Sequence, residues 1–92
     1  MATVEMTPAQ FMDTLTGHEE FKVSKAFGKP PIELVQENKS LWLRSLVFVD
    51  LVRAKKSPDP KEDVLSMTLR QIADYFRPEA TPATEDEESG EA

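Results

Sequence analysis

Cysteine is missing from this chain of 92 residues, which contains one histidine and three glycines. Without cysteine the protein has neither a disulfide framework nor a thiolate metal site, and His18 alone cannot form a multi-histidine site. The glycines are too scattered for a phosphate-binding loop, because only Gly17, Gly28 and Gly90 are present. We therefore expect no metal and no cofactor.

A long apolar run is also missing, and so is a leader peptide. Residues 1–10 contain no basic residue and no apolar stretch, so they do not look like a secretory signal. The most apolar run, residues 41–52, includes Arg44 and Asp50 and is too short to cross a bilayer. These features predict a cytoplasmic protein that does not enter a membrane.

A catalytic arrangement of residues is absent from the sequence as well. His18 has no nearby serine to activate, and acid pairs such as Glu62–Asp63 point apart on a helix. Basic residues are scattered, and their one cluster, Arg53, Lys55 and Lys56, falls at a helix end, where it complements the helix dipole. The sequence therefore predicts neither an enzyme nor a nucleic-acid-binding protein.

Charge divides the chain into two parts. Residues 79–92 contain six acids and no base, whereas residues 1–78 contain 11 acids and 11 lysines and arginines, so the tail alone accounts for the net charge of −6. The tail has no large apolar residue and cannot bury enough surface to offset the entropy lost on ordering. We predict a helical domain at residues 1–77 and a disordered acidic tail at residues 78–92.

The acidic tail carries its densest charge at Glu85, Asp86, Glu87 and Glu88. One interpretation is that this charge only keeps the protein soluble. The other is that it mimics a polyanion or docks on a basic partner. The sequence leaves both interpretations open.

Capping patterns mark the starts of several helices. They share a capping side chain three residues before a Gln or Glu, with proline often next to the cap. The pairs are Thr7 with Gln10, Asp59 with Glu62, and Thr68 with Gln71. Ser40 is predicted to cap the main helix. No stretch alternates with the period of a strand, so the predicted fold class is all-α, a small bundle of four to six short helices around one central apolar helix.

Glycines mark two predicted helix ends. We expect Gly17 to end the first helix, and Gly28 to end a second helix over residues 19–27, because Pro30 and Pro31 forbid continuation. The buried stripe of the second helix is predicted to be Phe21, Ser24 and Phe27.

The central helix, predicted over residues 41–52, is apolar around most of its circumference, since nine of its twelve residues are apolar. Such a helix has to be surrounded by its own fold or by a partner. Because a domain of this size covers only part of it, we predict that one edge is exposed to bind a partner protein. The residues predicted at that edge are Trp42, Leu46, Val49 and Leu51.

Three motifs then carry a family resemblance. Residues 27–34 read FGKPPIEL, the apolar helix closes at residues 51–56 as LVRAKK, and residues 62–69 read EDVLSMTL before an acidic tail rich in Pro, Ala and Glu. In this order they resemble the small tail assembly chaperones of long-tailed, siphovirus-type bacteriophages, especially those of actinobacteria. The resemblance covers roughly residues 21–92. The helix expected near residues 7–15 has no counterpart, and the link from Asp59 to the last helix is shorter than in the family.

The resemblance implies a protein that acts while the phage tail is built and is absent from the finished virion. Family members keep the long tape measure protein soluble and assist polymerisation of the tail tube around it. A longer form arises by ribosomal frameshifting. The implied partners are the tape measure protein and the tail tube protein, met in the host cytoplasm; self-association is left open.

Two other classes of function remain open at this point. A small regulatory or inhibitory module would bind another protein through the same apolar helix. A structural head–tail joining protein would instead stay in the virion in stoichiometric amounts.

Overall fold

The computed structural model describes residues 3–78. Within this range the chain forms six α-helices and no strand, which confirms the predicted all-α class. The predicted disordered tail lies outside the described residues from residue 79 onward. The helices are α1 (Pro8–Met12), α2 (Gly17–Phe27), α3 (Pro31–Glu37), α4 (Lys39–Ala54), α5 (Pro60–Ser66) and α6 (Leu69–Tyr75).

Two of the predicted capping boxes are present with both hydrogen bonds. At the start of α1, Gln10 N donates to Thr7 Oγ1 (3.2 Å) and Thr7 N donates to Gln10 Oε1 (3.0 Å). Thr68 and Gln71 make the same exchange before α6, at 3.1 and 2.8 Å. Each box satisfies backbone N–H groups that the first turn of a helix leaves without an intrahelical partner.

Two predicted helix boundaries are wrong. Gly17 does not end a helix but begins α2, because Thr16 and Glu19 form a third capping box around it. Asn38, not Ser40, caps α4: Leu41 N donates to Asn38 Oδ1 at 3.1 Å. The residue that caps α2 is Thr16, one position before Gly17. The residue that caps α4 is Asn38, two positions before Ser40. Gly28 ends α2 as predicted, in the left-handed conformation (φ 86°) that glycine adopts without strain.

Helix α4 is the centre of the molecule, as predicted, and packs against each of the other five helices. Every helix contributes at least one buried side chain to the core around it. The buried apolar residues are Val4, Phe11, Val23, Leu34, Trp42, Leu46, Val47, Phe48, Val49, Val64, Ile72 and Phe76.

The two ends of the described chain lie side by side. Val4 N donates to the Tyr75 carbonyl and Arg77 N donates to the Met6 carbonyl, both at 2.9 Å. Phe11 of α1 packs on Phe76 with ring centroids 5.4 Å apart. Residues 76–78, just before the acidic tail, are thereby fixed against the first helix.

The predicted buried stripe of α2 is partly wrong, because Phe21 is 64% exposed and Val23 is the buried residue. Each residue advances a helix by about 100°, so a step of three residues falls about 60° short of a full turn. Two such steps place Phe21 and Phe27 about 120° apart around the axis of α2. Phe27 shares the core side with Val23 and packs edge-on against Phe48, with centroids 5.4 Å apart. Phe21 faces solvent, where the Lys25 ammonium lies 5.5 Å from its ring centroid.

Candidate partner-binding groove

The predicted exposed edge of the central helix is wrong for three of its four residues. Trp42, Leu46 and Val49 are 3%, 0% and 2% exposed, whereas Leu51 is half-buried. The reason is that five short helices surround α4, so a chain of this size covers more of the helix than its length suggests. These three side chains are therefore not accessible to a partner.

An open groove of about 510 Å³ lies between α1, α3, the first turn of α4 and the end of α6. Its volume is within the range of small ligand-binding clefts. Most of its lining is apolar, and only two of the lining side chains carry charge. The lining residues are Pro8, Ala9, Val35, Lys39, Trp42, Leu43, Ala73, Arg77 and Pro78.

Packing of α4 explains the apolar floor of this groove, which we call the α3–α6 groove. Trp42 Nε1 donates to Met12 Sδ at 3.2 Å, which orients the indole between α1 and α4 with one small patch at the groove. Leu43 follows on the adjacent face and is half-buried, as is Val35 of α3. Across from them α6 presents only Ala73, and this small side chain leaves the space open.

The charge of the α3–α6 groove is of one sign. Among residues 3–78, the charged residues that line it are Lys39, at the start of α4, and Arg77, two residues beyond α6, and none of the lining residues in this range is acidic. Neither cation forms a salt bridge with any residue in the range 3–78. Arg77 Nη1 makes only a long contact, at 3.5 Å, with the Glu5 carbonyl. The groove is therefore an apolar surface between two unpaired positive charges.

The principal ion pair of the domain lies elsewhere. Arg53 near the end of α4 binds Glu19 in the first turn of α2 with two hydrogen bonds, Nε–Oε2 at 2.7 Å and Nη2–Oε1 at 2.8 Å. Hydrogen bonding to the Arg53 guanidinium lowers the pKa of Glu19 well below its usual value, to about 2. The sequence placed Arg53 at the helix end but gave no sign of this partner, which is 34 residues away.

Metal-ligating side chains do not form a cluster in the described part of the chain. Across residues 3–78, no group of three or more His, Cys, Asp or Glu side chains is placed to hold a metal ion.

A second depression, of about 310 Å³, lies beside the ion pair of Lys29 and Glu37 and is lined mainly by α2, α3 and the start of α4. None of the helices in residues 3–78 has the length and apolar character needed to cross a bilayer.

Comparison with protein-family models, with curated proteins and with solved structures found no match to this chain.

Proposed function

We propose that this chain is a non-catalytic binding protein, a tail assembly chaperone of a long-tailed bacteriophage that acts in the host cytoplasm. Its client is the tape measure protein, which it keeps soluble while the tail is assembled, and the tail tube protein is a second partner. The resemblance over residues 21–92 supports the class of protein. The observation that carries the binding role is the open apolar groove.

The α3–α6 groove suits an amphipathic client helix. Val35, Leu43 and Ala73 offer an apolar surface on which aliphatic side chains at helical spacing can pack. Lys39 and Arg77 flank that surface and would attract carboxylates on the client. The α3–α6 groove is small, so one copy of the chaperone would hold a short segment of a long client. Several copies would cover the whole client.

Substitution of Ala73 by Arg tests this assignment. Ala73 is exposed within α6 and arginine is a good helix former, so the fold should persist while the long side chain fills the groove. Co-expression with the tape measure protein should show co-purification with the wild-type chain. The affinity should fall about 30-fold for Ala73→Arg, since filling the centre of an interface costs ~2 kcal/mol.

The matched control is Phe21→Arg. Phe21 is the most exposed large apolar residue described and lies on α2, which contributes nothing to the groove. This variant should keep the tape measure protein bound. Loss of binding for Phe21→Arg with retention for Ala73→Arg would move the site to α2. Failure of the wild-type chain to bind the tape measure protein would refute the chaperone function itself.

The composition of purified particles separates the remaining alternatives. A chaperone should be missing from the mass spectrum of the virion, whereas a head–tail joining protein would be present in stoichiometric amounts. Absence from the virion together with retention of a host protein, rather than the tape measure protein, would instead indicate a regulatory or inhibitory module.

A further inference from the structure

We infer that the acidic tail of the chain, residues 79–92, docks in the α3–α6 groove of the same molecule. The occupant is thus a segment of this chain, held against the groove by charge. The inference concerns the tail and the groove alone, and it stands or falls without reference to the proposed client.

The point of attachment favours this occupant. Arg77 and Pro78 are the last described residues, and both line the groove, so the tail leaves the domain at the groove itself. A short tether raises the local concentration of the attached segment to the order of mM, which allows weak contacts to be populated. Residues 79–88 span up to about 33 Å when extended. The acids of the tail therefore reach every part of the groove.

Charge complementarity points to the same occupant. The tail contains six acids and no base, and the only charged side chains among residues 3–78 that line the groove are Lys39 and Arg77. Both cations lack a salt-bridge partner within residues 3–78. The domain as a whole is balanced, with equal numbers of acidic and basic residues in positions 1–78. The groove is thus a locally positive site on a neutral domain, next to the origin of a strongly negative segment.

Size provides a third argument. Between Pro78 and the dense acids of the tail stand Ala80, Pro82 and Ala83, whose side chains are small and apolar. Side chains of this size can pack on the apolar floor of the groove beside Ala73. In the docked state the tail covers Val35, Leu43 and Ala73, so a partner of the groove has to displace it.

A nitroxide spin label on the tail tests the inference in the full-length chain. Because the protein contains no cysteine, Ser89→Cys gives a single attachment site. Paramagnetic broadening of backbone amide signals should be strongest at Val35, Leu43 and Ala73. The tether alone brings the label near Arg77, so the decisive measurement is how the broadening responds to the charge of the groove.

Lys39→Gln with Arg77→Gln should reduce the broadening at the groove at least threefold, and added salt should do the same, because exposed charges are screened. The matched control, Lys22→Gln with Lys25→Gln on α2, removes the same charge and should leave the broadening unchanged. Equal broadening in both double variants, or stronger broadening on α2 than at the groove, would overturn the inference.

Mixing isotope-labelled protein without the nitroxide with unlabelled protein that carries it reports contacts between molecules. This mixture should show no broadening at the groove. Broadening at Val35 and Leu43 in the mixture would assign the tail to the groove of a second copy and overturn docking within one molecule.

Discussion

The guanidinium of Arg53 joins three parts of the chain. Besides its two hydrogen bonds to Glu19, Nη2 donates to the Thr14 carbonyl at 3.2 Å, and the group lies 4.8 Å from the Phe11 ring centroid. It therefore fixes the start of α2 and the end of α1 against the end of α4. Pairing raises the pKa of Arg53 further, so its charge is permanent and only Glu19 titrates.

Glu19→Gln isolates this ion pair, because glutamine at the same position retains the capping hydrogen bond to Thr16 N. The pKa of Glu19 in the folded protein is depressed to about 2, so the pair contributes stability above the unfolded pKa near 4.3 and loses it as pH falls toward 2. Urea unfolding at pH 7 should show a loss of about 1 kcal/mol for the variant. The difference in unfolding free energy between the variant and the wild type should shrink as the pH falls from about 4 to about 2. This interval lies between the unfolded and the folded pKa of Glu19.

The neighbouring Glu20→Gln serves as the control, since Glu20 is exposed and makes no salt bridge within residues 3–78. It should unfold like the wild type at both ends of this pH range. A Glu19→Gln variant that is as stable as wild type at pH 7 would show that the hydrogen-bonded pair contributes nothing to the fold.

For whole helices, the sequence predicts the capping hydrogen bonds at their starts but not which sides of the helices pack together. The boxes at Thr7 and Thr68 depend on residues three positions apart, so the sequence alone indicates them. The box at Thr16 follows the same rule, but the glycine after it is also typical of a helix end, so the local pattern is ambiguous. The exposure of Phe21 depends on which side of α2 faces α4, a long-range choice that spacing of apolar residues settles only in part.

The α3–α6 groove shows the same limit. Ala73 stands among larger apolar residues of α6, and Arg77 lies four positions further on, which is a local hint of an open and basic face. That Val35 and Lys39 meet this face follows only from how α3 and α4 pack. The sequence alone indicates only one residue of the groove, Trp42, and the rest depends on how the helices pack.

Arg44 carries the contact between α4 and the turn after α5. Its Nη1 donates to the carbonyls of Val64 and Met67, both at 2.8 Å, and the Val64 carbonyl also accepts from Met67 N at 3.2 Å. Arg44→Met keeps the aliphatic stem but takes the charged donor away from both part-buried carbonyls. We expect about 2 kcal/mol of destabilisation, as for other hydrogen bonds made by a charged donor.

Hydrogen exchange and urea unfolding check this prediction together. Amides of α5 and α6 in Arg44→Met should exchange faster than those of α2, because these two helices lose their anchor to α4. Arg70→Met, on the exposed side of α6, is the control and should change neither measurement. Uniform acceleration across all helices would indicate a global loss of stability rather than the local release predicted here.

For the whole molecule the main quantity is the separation of charge, a balanced domain followed by a tail that holds the net charge of −6. Because proteins without net charge associate more readily, the tail should keep the chain dispersed at neutral pH. Replacing its six acids by Gln and Asn removes the net charge. Light scattering should then find strongest self-association near neutral pH, instead of near the wild-type isoelectric point of about 4.7.

A second tail variant, with six lysines in place of the six acids, separates repulsion between molecules from coverage of the groove by the tail. Its net charge has the same magnitude and the opposite sign, so repulsion between molecules is restored. A lysine-rich tail would also be repelled by Lys39 and Arg77 and would leave the groove open. We expect this variant to remain dispersed at neutral pH while the neutral variant associates. If the lysine variant associates as strongly as the neutral one, net charge is not what keeps the chain dispersed, and the uncovered apolar groove becomes the cause.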